Sequence, residues 1–279
     1  MKNNIVIIIL TFNSEKVIKE TVLAAKKISK NIVVLDSYST DNTIKIVKKL
    51  KCKAFRRKFI NYSNQRNFII KKYNNLFEWQ LHLDSDEVLS DTLIKNIKVA
   101  LMKNNKNYAF IIKRYVYFLN KKLSFGGTSN WHLRLFPSKS TTCELKNYDQ
   151  HFISKLLLKK INGELHDKNI KNLTEWTNSH NKWSSLAILD KKDMRKDIVS
   201  PKFFGNNIER ARYIRNKISL LPIGLRGFST FFIKYFLLFG FLDGKVGFIY
   251  CFLNSLWFQT LTDAKKYEFI LKKKINNAY

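Results

Sequence analysis

A chain of 279 residues with 45% hydrophobic and 14% aromatic residues can bury the core of one large domain or two small ones, which excludes a disordered chain. Nine Gly and three Pro without a three-residue period exclude a collagen-like or linker-dominated polymer. Against 51 Lys and Arg stand 21 Asp and Glu, a formal charge of +30 that favours anionic partners: phosphate-bearing small molecules, a membrane surface or nucleic acid.

Of the 51 basic residues 41 are Lys, in a chain also rich in Asn and Ile, so part of this surplus reads as compositional bias. Cys52, Cys143 and Cys251 are odd in number and scattered. They fit neither a disulfide framework nor a Cys-x-x-Cys zinc site, and suit a reducing compartment. The apolar run Ile5 to Leu10 is shorter than a signal-peptide core of roughly 7–15 residues, so no secretion is expected.

In chain order, Ile5 to Leu10 predicts a buried strand, and Val17, Ile18, Val22, Leu23 and Ile28 follow at helical spacing, with Asn13 or Ser14 as N-cap. Ile32 to Leu35 predicts a second strand ending at Asp36. Turn residues Ser37, Ser39, Thr40 and Asp41 lead from it into a helix carrying Ile44, Ile46, Val47 and Leu50. A short strand around Ala54 and Phe55, a helix over Tyr62 to Tyr73 and a strand from Trp79 to Leu83 complete the alternation. Strands buried on both faces and alternating with helices predict an α/β fold with a mostly parallel sheet, helices covering both faces.

Tyr108 to Phe118 is aromatic and β-rich, and helical spacing returns from Leu173 to Asp193 with Trp176, Trp183, Leu186 and Leu189 as apolar anchors. Residues 195–234 hold nine Lys or Arg and two acids, and Tyr235 to Phe258 is dense in Phe, Leu, Ile and Trp. Val246 to Thr262 is uncharged over 17 residues, the lower edge of a spanning helix, although Asn254, Ser255, Gln259 and two Thr oppose that reading. Two readings stand for this helical, apolar and basic C-terminal region: an interfacial anchor on anionic lipid, or a buried helical subdomain.

Ligands of open α/β sheets sit outside the carboxyl ends of the strands. Three such ends are polar here: Thr11 to Asn13, Asp36 to Asp41, and Asp84 to Glu87. At the third, Leu81-His82-Leu83 delivers Asp84-Ser85-Asp86 from a buried strand, with Glu87 behind. Carboxylates this close are unfavourable unless a cation or protons neutralise them. Hard oxygen ligands select Mg2+ or Mn2+, which bind through one or two carboxylates and then through substrate phosphates. Neither Gly-x-x-x-x-Gly-Lys nor Gly-x-Gly-x-x-Gly occurs, against a kinase or dinucleotide enzyme built on those signatures.

Together, Ile5 to Asn13, the run Val33 to Asp41, Gln65-Arg66-Asn67-Phe68 and Leu83-Asp84-Ser85-Asp86-Glu87 resemble the nucleotide-sugar half of family 2 glycosyltransferases, which have the GT-A (Rossmann-like) fold. Trp131 to Phe136, Asp149-Gln150-His151 and Gly240 to Gly244 are similar to a bacterial branch that assembles lipopolysaccharide core, capsule or exopolysaccharide. The resemblance implies that Thr11 and Asn13 line the nucleotide pocket and Asp36 contacts the base. Arg66 would face the base or diphosphate. Asp84 would hold the ribose or metal region beside Ser85, and Asp86 would ligate Mn2+ or Mg2+ bridging the diphosphate. A carboxylate must take the acceptor proton; Asp149 is assigned that role and Glu144 is the alternative. His132 reads as structural and His151 as a core or supporting residue, and Trp176, His180 and Trp183 as core rather than a sugar platform.

The expected organisation is a GT-A domain over residues 1–195, with a nucleotide-sugar half of about 1–107 and an acceptor half of about 108–195, and a helical membrane-associating or packing region over 196–279. The expected activity is inverting transfer from a nucleotide-diphosphate sugar to a glycan or lipid-linked acceptor. The expected place is the cytoplasmic side, peripheral on an anionic inner-membrane surface. A nucleic-acid-binding protein and a nucleotidyltransferase are the competing readings. The positive charge is spread along the chain without a recognised binding module, so no nucleic acid is expected.

Overall fold

The computed structural model describes residues 4–147, 149–168, 172–191, 202, 204–205, 207–218 and 220–276. The chain divides into two compact units, one of residues 1–122, 129–145 and 150–170, the other of residues 123–128, 146–149 and 171–279.

In the first unit the order is β1 (Ile5–Thr11), α1 (Ile18–Lys26), β2 (Ile32–Asp36), α2 (Thr43–Lys49), β3 (Lys53–Arg56), α3 (Tyr62–Tyr73), β4 (Trp79–Asp84), β5 (Glu87–Leu89) and α4 (Asp91–Lys103). Then come β6 (Tyr108–Phe118), β7 (Lys121–Lys122), β8 (Asn130–Pro137), β9 (Thr141–Cys143), β10 (Phe152–Ser154) and β11 (Leu157–Asp167). The main sheet runs β3-β2-β1-β4-β8-β6-β11-β5, with β7 on β6, and β9 and β10 form a separate ribbon. The first four strands are parallel; β8 lies antiparallel between β4 and β6, and β11 runs parallel to β6.

β1 is buried along its whole length, as a strand covered on both faces must be. Its alternation sorts the core: Ile5, Ile7 and Ile9 pack with Ile18 and Val22 of α1, and Val6, Ile8 and Leu10 pack with Ile69 and Tyr73 of α3. The long helices are capped by residue types that favour it. Asn61 Oδ1 accepts the Asn64 N–H at 2.8 Å to start α3, Ser90 Oγ accepts the Leu93 N–H at 3.2 Å to start α4, and Asn104 ends α4 in the left-handed conformation. At the bulge of β11, Gly163 has φ 116°, and a Cβ there would lie 2.5 Å from Leu93 Cα. Only glycine lets α4 and β11 approach this closely.

One expectation is corrected. α1 begins at Ile18, and neither Asn13 nor Ser14 caps it with a side chain; the Ser14 carbonyl accepts the N–H groups of Val17 and Ile18 instead. Both side chains are needed elsewhere, as described below. The boundary expected at 195 lies outside the described residues.

The second unit holds α5 (Leu173–Lys191), α6 (Asn207–Ile218) and α7 (Leu225–Phe232), a π-helical turn at Ile233–Leu237 and a 3-10 turn at Gly240–Asp243. α8 (Gly244–Cys251), a second π-helical turn at Phe252–Trp257 and α9 (Phe258–Asn276) complete it. α5 belongs here because Trp176 and His180 are buried and stacked, Trp176 faces Tyr250 and Trp257, and His180 meets Phe258 edge-on. The aromatic stripe on α5 is therefore core, as its helical spacing implied. The end of the helical stretch expected to reach Asp193 lies outside the described residues.

Candidate active site

From β1 the chain goes to β2 and β3 on one side and returns to β4 on the other, so the carboxyl ends of β1 and β4 flank a topological switch point. That is where an open α/β sheet leaves a crevice for a ligand. Register sets Thr11 beside Asp36 and Leu10 beside Asp84, which gathers three of the expected residues along one sheet edge.

The first two loops are stitched to each other. The Asn13 N–H donates to Ser39 Oγ at 2.9 Å, and Asn13 Oδ1 accepts the Thr40 N–H at 2.9 Å. Asn13 adopts φ 46°, a left-handed turn that Asn tolerates. The Ser14 N–H donates to Thr43 Oγ1 at 2.7 Å, and its hydroxyl meets the Ser85 hydroxyl at 2.8 Å, which ties the first loop to the third. The Ser85 carbonyl accepts Thr21 Oγ1 at 2.8 Å. Asp36 is fully buried, and its carboxylate accepts the Ser39 N–H and hydroxyl and faces Arg56 Nε at 3.7 Å. It shapes the second loop from beneath. Thr11 is buried, its hydroxyl lacking a hydrogen-bond partner among the described residues.

Asp84 sits between two arginines. Arg66 Nη2 pairs with Oδ1 and Arg134 Nη2 with Oδ2 at 3.0 Å. Burial acts to raise this carboxyl, but the two guanidiniums outweigh it and hold the group at about 2. Arg134 also pairs with Glu87, a carboxylate that is 1% exposed and accepts the Asp84 N–H at 2.9 Å. Arg114 lies 3.2 Å from Asp167 and 3.9 Å from Glu87.

Arg66, expected at the base or diphosphate, is engaged within the protein. The side chain is 4% exposed and is used on Asp84, on His82 Nδ1 at 3.3 Å and on the Leu83 carbonyl at 3.2 Å, with its guanidinium over the Phe152 ring. It braces β4 from within.

Asp86 is the exception in this group. Among the described residues its carboxylate forms no ion pair, and burial followed by the charges of Asp167, Asp84 and Glu87 pushes it up to about 8. Its carbonyl is fixed by the Lys168 N–H at 2.9 Å. A half-buried carboxylate crowded by acids suits a divalent cation. Among the described residues no group of three or more His, Cys, Asp or Glu could hold a metal alone, so a cation at Asp86 would take its other ligands from substrate oxygens and water. Tyr62 belongs to the same neighbourhood: burial and the charges of Asp84 and Asp86 push its phenol up to about 12.

The carboxylates considered for proton transfer differ in environment. Glu144 is fully buried; it accepts the His151 N–H at 3.1 Å and lies 3.3 Å from His151 Nδ1. Asp149 is exposed, at φ 52°. Glu144 and His151 lie in the first unit and Asp149 in the second. His132 is held well below the usual imidazole range by burial and by Arg114 and Arg134, and its buried Nε2 has no hydrogen-bond partner among the described residues.

Arg134, Arg114, Glu87 and Tyr62 were not singled out as site residues from the sequence. For Arg134 the signal was a charged residue between apolar ones in Trp131-His132-Leu133-Arg134-Leu135-Phe136.

The description Glycosyl transferase family 2 matches residues 6–165, which span this sheet from β1 into β11. The chain belongs to that family. An uncharacterized glycosyltransferase of Rickettsia typhi is 27% identical over 252 residues, 85% of this chain and 79% of the relative. Another from Rickettsia felis is 27% identical over 283 residues, 95% of this chain and 90% of the relative, so the likeness runs through the helical unit as well. Among solved structures, glucosyl-3-phosphoglycerate synthase from Mycobacterium tuberculosis in complex with Mn2+ and UDP-glucose matches with a TM-score of 0.33 at 14% identity, over 40% of this chain and 43% of that one. The chain thus spans less than half of that structure's length. The protein is a glycosyltransferase with an α/β sheet of the GT-A class and a C-terminal helical region rich in apolar residues.

Proposed function

We propose that this glycosyltransferase moves a sugar, with inversion, from a nucleotide-diphosphate donor to a hydroxyl of a glycan or lipid-linked acceptor, in bacterial surface polysaccharide synthesis at the inner face of the inner membrane. The observation that carries the reading is the contrast at the switch point: Asp84 and Glu87 are neutralised by arginines, whereas Asp86 has no such partner among the described residues and is crowded by acids. A Mn2+ or Mg2+ ion held by Asp86 would supply Lewis-acid stabilisation for the departing diphosphate.

The chain's own residues do the rest. The Asn13–Ser39–Thr40 and Ser14–Ser85 contacts hold the three loops in register around the donor, and Arg66 and Arg134 keep Asp84 ionised and fixed. In the reaction the acceptor oxygen bonds to the anomeric carbon, the bond from that carbon to the diphosphate oxygen breaks, and the acceptor proton passes to a carboxylate. Asp149 is preferred for that proton because it is exposed, whereas Glu144 is fully buried against His151.

The test is a panel of nucleotide sugars screened for metal-dependent hydrolysis. The reading requires at least one donor to be cleaved by the wild-type protein with Mn2+ or Mg2+ and spared by Asp86→Ala; equal cleavage by both proteins overturns it.

A further inference from the structure

Over Leu225–Phe258 the second unit is built the wrong way round for water. Phe232, Phe236, Leu237, Phe239, Leu242 and Phe248 are each between 44% and 59% exposed, with other Phe and Leu beside them. Three of its charged groups are turned inward onto protein partners. Asp243 is 5% exposed and its carboxylate accepts the N–H groups of Ser124 and Phe125 at 3.1 and 3.0 Å. Lys234 donates to Asn254 Oδ1 at 2.8 Å, and the buried Arg226 pairs with Asp263 at 2.8 Å and donates to the Gln259 carbonyl at 3.0 Å. Between residues 227 and 262 the remaining charge is Lys245, which is exposed. A soluble subdomain would reverse this sorting; apolar groups outward and charges inward are what a hydrocarbon solvent selects.

The backbone obeys the same logic. Hydrocarbon offers no partner to a peptide group, so any bend within it must be satisfied by protein. At the bend after Leu237, the Leu238 N–H donates to the Ile233 carbonyl at 2.8 Å, the Leu238 carbonyl accepts the Gly126 N–H at 2.8 Å, and the Leu242 N–H donates to the Phe239 carbonyl at 3.0 Å. Close packing closes the inside: a Cβ on Gly240 would lie 2.8 Å from both the Lys234 carbonyl oxygen and Cys251 Sγ.

No single described helix is long and apolar enough to cross a membrane, but Leu225–Leu237 and Gly240–Lys272 pass that test together, bent by 73°. The first arm, at about 1.5 Å per residue, is about 20 Å long, short of the roughly 30 Å hydrocarbon core. Exposed lysines stand at both outer ends, Lys202 and Lys217 before the first arm and Lys266 and Lys274 along the far part of the second, where Lys265 is bound to α5 and Lys272 to Glu268. They complement anionic headgroups.

We infer that residues 225–258 form a re-entrant wedge that inserts the bend at Leu237–Leu242 into one leaflet of an anionic bilayer, rather than lying on its surface. This deepens the membrane placement proposed above and rests on it, but not on the transfer chemistry.

The test is sedimentation of the full chain with vesicles of phosphatidylcholine and phosphatidylglycerol at about 0.15 M and about 1 M salt, which shortens the screening length from about 8 Å to about 3 Å. Insertion predicts that most of the protein stays on vesicles at high salt. The triple variant Phe236→Ser, Phe239→Ser, Leu242→Ser should lower that salt-resistant fraction at least about tenfold while keeping low-salt binding through its basic ends. An unchanged circular dichroism spectrum and melting temperature of the variant would establish that it is folded. Complete release of the wild type by salt overturns the wedge and leaves a surface-bound protein. Equal salt resistance of variant and wild type overturns the assignment to this bend. No vesicle binding at either salt overturns membrane placement itself, and a soluble dimer dispersed by the triple variant would then assign the patch to a second copy of the chain.

Discussion

Arg134 on β8 reaches Asp84 at the end of β4, Nη2 to Oδ2 at 3.0 Å, and in the same place neutralises the buried Glu87. One guanidinium thus joins the antiparallel half of the sheet to the acidic strand end where the parallel half opens. The acids at this end are unequal: two are locked into ion pairs, and Asp86 is left with its acidic neighbours.

Removing Arg134 leaves Glu87 buried and facing Asp84 with its main counter-charge gone. Arg134→Met should cost about 3–5 kcal/mol of stability, the usual penalty for orphaning one member of a buried pair. Chemical denaturation checks it. A loss below about 1 kcal/mol would mean that the pair is solvated like a surface bridge.

Neighbouring aspartates should respond with opposite signs. Asp84→Asn removes the partner of two arginines and should lower the melting temperature in the presence of a chelator. Asp86→Asn relieves repulsion from Asp167, Asp84 and Glu87, so under the same conditions it should melt at the wild-type temperature or higher. Scanning calorimetry separates the two, and matching destabilisation would show that Asp86 has a cationic partner after all.

For the acceptor proton, Asp149→Asn should keep nucleotide and metal binding yet lose at least about a hundredfold in turnover, the ordinary contribution of a general base. Glu144→Gln should act mainly on stability, because its carboxylate is buried against His151. Near-normal turnover in Asp149→Asn together with a folded but inactive Glu144→Gln would transfer the role.

Gly163 tests the packing of α4 on β11. In Gly163→Ala the new methyl would sit 2.5 Å from Leu93 Cα at a φ of 116°, so the helix must move and the backbone is strained. A loss of about 2 kcal/mol or more is expected in urea denaturation, and a neutral substitution would show that the bulge relaxes freely.

Much of this was legible in the residues. Ile5–Leu10 is a continuous apolar run and Trp79–Leu83 a mainly apolar one, both end in polar groups, and the sheet places both at the switch point. The helix over Tyr62–Tyr73 was bounded correctly, because Asn61 is a strong N-cap. What could not be read was pairing across the sheet. From the sequence Arg66, between Gln65 and Asn67, reads as a site residue facing the base or diphosphate; its burial against Asp84 and Phe152, both distant in sequence, is not legible there. α5 has the same amphipathic spacing whichever unit it packs in, and the contacts of Trp176 and His180 place it with the helices of the second unit. In the C-terminal stretch composition left two readings open, and the inward turn of Lys234 and Asp243 is a three-dimensional fact.

Electron paramagnetic resonance titration of Mn2+ in the presence of UDP or GDP tests whether Asp86 is the protein's ligand for a divalent cation carried with the donor diphosphate. A tight Mn2+ population is expected in the wild type and in Asp149→Asn, and none in Asp86→Asn. A wild-type titration curve from Asp86→Asn would contradict it.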